Sequence, residues 1–180
     1  MTKPAPLDVS SHLDAMLRYA RTLVRGSTTE ADDLVHEALV KALEAEASFR
    51  RGGNLRGWLL SILHNTFVSQ RRSRVAELRR VEAFGAAAET HAQPEQEGRA
   101  RLTRVVEAFH DLPEDQRAVL HLVAIEGMAY QEAADALGVP VGTVMSRLSR
   151  AREALRRFEG EGRTDRRPPA FRIIGGQDAS

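Results

Sequence analysis

The chain has 180 residues and carries 26 Lys and Arg against 25 Asp and Glu, a net charge of +1. It has no cysteine, which excludes a disulfide framework and a thiolate metal site. It has no run of 18 apolar residues, which argues against a membrane-spanning helix, and with aromatics at only 5% its Ala- and Leu-rich composition favours helices over sheets.

Residues 1–8 read as a loose leader without the apolar core of a secretory signal, so the chain is expected to be soluble and cytoplasmic. Ser10 or Ser11 can cap a first helix, whose apolar stripe is Leu13, Met16, Leu17, Ala20, Leu23 and Val24, with Gly26 as its stop. Ser27-Thr28-Thr29-Glu30 has the spacing of a capping box. The helix it opens has an inner face of Ala31, Leu34, Val35, Ala38, Leu39, Ala42 and Leu43. Its outer face carries Asp32, Asp33, His36, Glu37, Lys41 and Glu44. The stretch from Ser48 to Asn54 breaks the pattern and reads as a loop. Asn54 can cap a third helix containing Leu55, Trp58, Leu59, Ile62 and Leu63. Trp58 shares a stripe with Leu55 and Ile62, so it is expected in the core rather than as a platform for bases. This helix ends in Arg71, Arg72, Arg74, Arg79 and Arg80, with Glu77 as the nearby acid.

From Val81 to Gly98 apolar periodicity disappears and Pro94 intervenes, which reads as a linker. Leu102, Val105, Val106, Phe109 and Leu112 start a second module. Pro113 suits the first position of a helix, Glu114 and Asp115 complement its positive end, and Val119, Leu120, Leu122 and Val123 supply its buried face before Gly127. A short helix from Gln131 to Leu137 follows, with Ala133, Ala134 and Leu137 inward. Gly138 can take the left-handed conformation of a sharp turn. Pro140 then opens a helix with Val144, Leu148, Ala151 and Leu155 on one side. Two helices joined by a Gly-containing turn form the pattern of a helix-turn-helix.

The overall charge balance does not suggest nucleic acid, but its distribution does. Arg147, Arg150, Arg152, Arg156 and Arg157 face mainly Glu153, and Thr143, Ser146 and Ser149 add small polar groups. Such a helix can enter a major groove about 12 Å wide. An ordinary three-helix bundle with a solvated basic face has the same periodicity. The short Ala-rich helix, the Gly turn and the lopsided charge favour DNA. The expected architecture is all-α: two small helical modules on a flexible tether, each near the lower size limit for an independent core. The segments are 9–80, a linker at 81–98, 99–158, and a disordered tail at 159–180 in which Phe171-Arg172-Ile173-Ile174 is an apolar patch.

The run Asp32-Asp33-Leu34-Val35-His36-Glu37-Ala38-Leu39 resembles the signature in region 2 of extracytoplasmic-function sigma factors. Asn54-Leu55-Arg56-Gly57-Trp58-Leu59, with Ile62-Leu63-His64-Asn65, resembles a second stretch of that region. Leu112-Pro113 with Arg117, and Gly142-Thr143-Val144-Met145-Ser146-Arg147, resemble region 4. Within the family the chain looks most like the general-stress-response factors of alphaproteobacteria. The resemblance implies a factor that binds core RNA polymerase, through its beta-prime clamp and beta flap, and brings it to promoter DNA under the control of an anti-sigma factor. It implies no catalysis, cofactor or metal and no membrane partner. Asp32, Asp33, Leu34, Val35, His36 and Glu37 would dock on the polymerase, with His36 keeping a polar contact where relatives often have Gln. Phe49, Asn54, Arg56, Asn65, Arg71 and Arg72 would capture the parted strands of the −10 element, with bases taken into the Phe49–Asn54 loop. With few exposed aromatics, melting would rest on base capture and be strict about sequence. Thr143, Met145, Ser146, Arg147, Arg150 and Arg152 would read the −35 duplex. Met145 stands where many relatives have Arg or Lys; it donates no hydrogen bond but can lie against a thymine methyl, so a different −35 preference is expected.

Two rivals are weaker. His36-Glu37 begins like a zinc-binding H-E-x-x-H, but position 40 is Val, and the other histidines lack metal-ligand spacing. A polymerase-independent helix-turn-helix regulator would have no use for the Asp32–Glu37 face or for the Arg-rich end of the first module.

Overall fold

The computed structural model describes residues 7–50, 52–81 and 105–161. Among these residues there is no strand, in line with the all-α expectation. The helices are α1 (Leu13–Leu23), α2 (Thr28–Glu44), α3 (Leu55–Val81), α4 (105–111), α5 (Glu114–Leu120), α6 (Tyr130–Leu137) and α7 (Val141–Glu161). No helix among the described residues is long and apolar enough to cross a membrane.

Local chemistry explains most boundaries and corrects several expectations. The chain enters α1 through a 3-10 turn, Ser10–His12. Neither serine caps it; the Asp8 carboxylate, just before the turn, accepts the Ser10 N–H at 3.1 Å. Arg25 (φ 55°) and Gly26 (φ 88°) reverse the chain after α1, and the Gly26 N–H returns to the Arg21 carbonyl at 2.7 Å. Ser27 caps α2 by accepting the Glu30 N–H at 3.4 Å. Glu30 instead turns its carboxylate toward Arg74, 3.6 Å away, so the capping box is half formed. Leu43, expected on the inner face, is 61% exposed; the last buried residue of α2 is Ala42. Asn54 caps α3 as expected, accepting the Gly57 N–H at 2.9 Å. A Cβ on Gly57 would sit 3.0 Å from the Asn54 amide nitrogen, so the cap and this glycine belong together.

In the second half, Pro113 precedes α5 rather than opening it; its carbonyl accepts the Gln116 and Arg117 N–H groups at 3.0 and 2.9 Å. After Leu120 the helix widens into a π turn, His121–Ile125. Gly138 has φ 63° as the left-handed end of α6, and α7 follows.

The two halves share one hydrophobic cluster. Met16, Leu34, Leu59 and Leu63 belong to it together with Val119, Leu122, Leu137, Val144 and Leu148. Helix α1 packs on α5 and the π turn, and α3 packs on α6. Pooling two small cores removes more apolar surface from water than either half could alone. Val81, assigned to the linker, is helical, and α7 continues three residues into the expected 159–180 tail. The remainder of that linker and tail, including the Phe171–Ile174 patch, lies outside the described residues.

Candidate nucleic-acid interface

Helix α7 buries Val144, Leu148 and Ala151, so at 3.6 residues per turn its outer side is centred on Ser146, Ser149 and Arg150. Those three are exposed, as are Met145 and Arg152 on one flank. Thr143 and Arg147 lie half-buried on the other flank. Arg147 donates to Asp115 at 2.9 Å, and the Ser146 hydroxyl donates to the Thr143 carbonyl at 3.0 Å. The six expected −35 residues thus share one broad face, with Ser146 and Arg150 at its centre.

The expected −10 residues divide into two groups. Phe49 packs against Trp58 with ring centroids 5.1 Å apart, and Trp58 is half-buried. The tight turn that follows closes with a Gly53 N–H to Arg50 carbonyl bond of 2.9 Å. A Cβ at Gly53 would lie 2.9 Å from that carbonyl oxygen, so only glycine lets the backbone pass. Asn65 and Arg72, seven residues apart on α3, are exposed and share the outer side. Arg71, six residues from Asn65, points to a different side of the helix.

Asn54, Arg56 and Arg71 each meet a glutamate from the other half of the chain. The Asn54 amide donates to Glu132 at 2.8 Å. Arg56 pairs with Glu126. Arg71 pairs with Glu114 at 2.5 Å.

Glu126 is the centre of a buried network. Its side chain is 0% exposed. It receives a two-pronged bond from Arg18 at 3.2 and 3.3 Å, Arg56, and His121 Nε2 at 3.2 Å. The other ring nitrogen of His121 lies 2.8 Å from the Thr22 hydroxyl, and the ring packs against Tyr19 at 5.1 Å. Tyr19 Oη meets His64 Nδ1 at 3.0 Å. Burial, reinforced by Arg18 and Arg56, pushes His121 down to about 4. Burial, with Arg147 nearby, does the same to His64, and burial raises the Tyr19 phenol. These groups are therefore neutral near pH 7, and Glu126 is matched by guanidinium charge rather than by imidazolium.

Arg117, 1% exposed, makes a second link between the halves. Its guanidinium donates to the Thr22 carbonyl at 2.8 Å and to Leu23 at 3.5 Å, closing the negative end of α1. It also donates to His110 and Leu112 at 3.0 and 2.8 Å. Burial lowers its pKa, Arg25 adding to the effect.

On α2, Asp32, Asp33 and His36 are exposed. Leu34 and Val35, expected at a docking surface, are 1% and 6% exposed; they hold the bundle together and present no side chain to a partner. Glu37 is engaged by Lys41 and Gln70, each at 2.6 Å, which together hold its pKa below the usual range. Sequence reasoning missed Val40 and Leu43, 43% and 61% exposed. Helical spacing puts them on the same side as Asp33 and His36, which was the signal available: Val40 lies outside the apolar stripe.

Family models for sigma-70 region 2 and sigma-70 region 4 match residues 9–77 and 102–155. The chain is 39% identical over 149 residues to the ECF RNA polymerase sigma factor EcfG of Rhodopseudomonas palustris strain TIE-1, covering 82% of this chain and 81% of that protein. Among solved structures it resembles the sigma factor RpoE bound to the anti-sigma factor NepR from Bartonella quintana. That match has 33% identity and a TM-score of 0.72 over 88% of this chain and 96% of that one. It also resembles CnrH in complex with the cytosolic domain of CnrY, with 30% identity and a TM-score of 0.59 over 85% of each chain.

Proposed function

The chain belongs to the extracytoplasmic-function sigma factors of the sigma-70 family, and from that premise we propose how its own residues do the work. Region 2 spans 9–80 and region 4 spans 99–158, with the linker at 81–98. Region 4 sets α7 into the −35 major groove, where Ser146 and Arg150 face base edges. Arg147 and Thr143 on one flank, and Arg152 on the other, reach phosphates. A bidentate Arg–guanine pair is worth about 1–3 kcal/mol of discrimination. Met145, 53% exposed, offers an apolar contact to a thymine methyl.

Region 2 captures the non-duplex −10 strand. The Phe49–Asn54 turn receives an extruded base, Asn54 and Arg56 contact it or its phosphate, and Asn65, Arg71 and Arg72 follow the backbone along α3. Trapping the base offsets the few kcal/mol that unpairing costs. The outer side of α2 docks on the polymerase clamp: Asp32 and Asp33 supply charge, His36 a polar contact, and Val40 and Leu43 the apolar area. The beta flap holds region 4. Like other sigma factors the protein directs an enzyme rather than being one, and it works in the cytoplasm. The complexes of related sigma factors with NepR and CnrY support control by an anti-sigma factor, and the resemblance to EcfG supports a place in a stress response.

The observation that carries this reading is the presence in one chain of an open Ser/Arg face on α7 and an acidic-apolar face on α2. A polymerase-independent regulator needs only the first. Mixing the protein with core polymerase and running size-exclusion chromatography tests it. The wild type is expected to co-elute and Asp33→Arg to elute free with unchanged helicity. Co-elution of Asp33→Arg at wild-type levels would remove α2 as the dock.

A further inference from the structure

Of the six residues assigned to −10 capture, Asn54, Arg56 and Arg71 are held by Glu132, Glu126 and Glu114, all from the region 4 half. A carboxylate offers the same forked pair of anionic oxygens to a guanidinium that a phosphate does. We propose that these three glutamates are an internal stand-in for the promoter strand: in the free protein region 4 occupies the −10 surface of region 2 with carboxylates where single-stranded DNA would place phosphates and base edges. The inference rests on the sigma-factor reading and adds a competitor to its −10 site.

The three contacts differ in weight. The Arg71–Glu114 pair borders an open cavity of about 690 Å³ and is solvated, so it contributes little. Glu132 is exposed, and it also accepts the Ala129 N–H at 2.9 Å, which aims its carboxylate at Asn54. Glu126 has no access to water, and a buried carboxylate must keep its cations. It therefore holds Arg56 firmly while the halves are closed and releases it only when they part and Glu126 is rehydrated. One guanidinium cannot serve Glu126 and a DNA phosphate together.

The occlusion is one-sided. Met145, Ser146, Arg150 and Arg152 on α7 are exposed in this same arrangement. The closed chain is therefore able to touch duplex DNA through region 4 while its single-strand surface is filled. Separation of the halves on the polymerase then exposes the −10 surface only where melted DNA is about to form.

The test uses the full chain without polymerase and two fluorescent probes: a mixed-sequence single-stranded 20-mer and a mixed-sequence 20-bp duplex. Glu114→Gln, Glu126→Gln and Glu132→Gln together remove the competing charge while keeping the side-chain shapes. The combined variant is expected to bind the single strand at least tenfold more tightly than wild type, with duplex affinity changed less than twofold. Adding Arg56→Ala to it is expected to reverse most of the gain. Because Glu126 is buried, Glu132→Gln alone serves as a surface control and is expected to tighten single-strand binding two- to threefold. Equal single-strand affinity in the folded combined variant and wild type overturns the proposal. So does an equal rise for both probes, which would report only lost negative charge. If the combined variant fails to fold, an unchanged affinity of Glu132→Gln overturns it. Wild-type co-elution with core polymerase, measured separately, tells failure of this inference from failure of the sigma-factor reading.

Discussion

At the scale of single residues, the informative groups are buried polar ones that join the halves. Arg117 satisfies carbonyls of Thr22 and Leu23 across the boundary and two more in its own half. Replacing it with Ala leaves those carbonyls without their charged donor, a loss on the order of 3 kcal/mol. A urea titration is expected to show that loss for Arg117→Ala, whereas a midpoint within error of wild type would mean the carbonyls find water. His121 and His64 give a pH dependence. Both are pushed down to about 4, whereas the unfolded chain takes up these protons near the ordinary 6.5. Between those limits the unfolded state holds more protons, so stability rises with pH and is lost on acidification from about 6.5 to 4. Each histidine accounts for about 3 kcal/mol at most. Melting temperature is expected to drop as the pH is lowered across that window, and less steeply in His121→Asn; an identical slope in the variant would place the titration elsewhere. Arg56 and Arg117 stand out in the sequence, but their buried partners do not. Thr22 and His121 lie 99 positions apart, and nothing local marks His121 or Glu126 as buried partners.

At the scale of elements, much of the fold could be read from periodicity. Apart from Leu43 at the end of α2, the stripes of α1, α2 and α3 and the inward residues of α6 and α7 lie where spacing places them, because one buried face per helix is enough to define it. The errors were at ends. Ser10 and Ser11 have the residue type of a cap but lie inside the 3-10 turn that leads into α1, and the π turn at His121–Ile125 has no distinct sequence pattern. The second helix shows the same limit at the site. Its acidic outer face is legible in the sequence, and so is the inward place of Leu34 and Val35 beside Ala31 and Ala38; only the family resemblance lends these two a docking role, which their burial excludes. In the proposed dock the exposed Val40 and Leu43 supply the apolar part instead. Leu43→Asp is accordingly expected to weaken co-elution with core polymerase at least tenfold while leaving the fold intact, since the side chain contributes little to the core. Undiminished assembly would confine the dock to the acidic turn.

At the scale of the whole molecule, the two halves were legible as separate modules, but their docking was not. Each half shows its own periodicity, while the merging of their buried faces into one cluster and the polar links across it have no local sequence signal. The closed arrangement also sets a requirement. Elements centred near −35 and −10 lie about 25 base pairs apart, roughly 85 Å along the duplex, whereas α3 is about 40 Å long and already touches α6. On the proposed reading, gripping both elements requires the halves to separate, and binding to polymerase would have to drive that separation.

The most direct measurement is run-off transcription by core polymerase plus the purified full chain on templates carrying randomised −35 and −10 segments. Transcripts are expected only when the chain is present, from templates sharing one −35 and one −10 sequence, and none with Asp33→Arg. No chain-dependent transcript from any template, with an active core enzyme and a folded protein, would contradict the assignment.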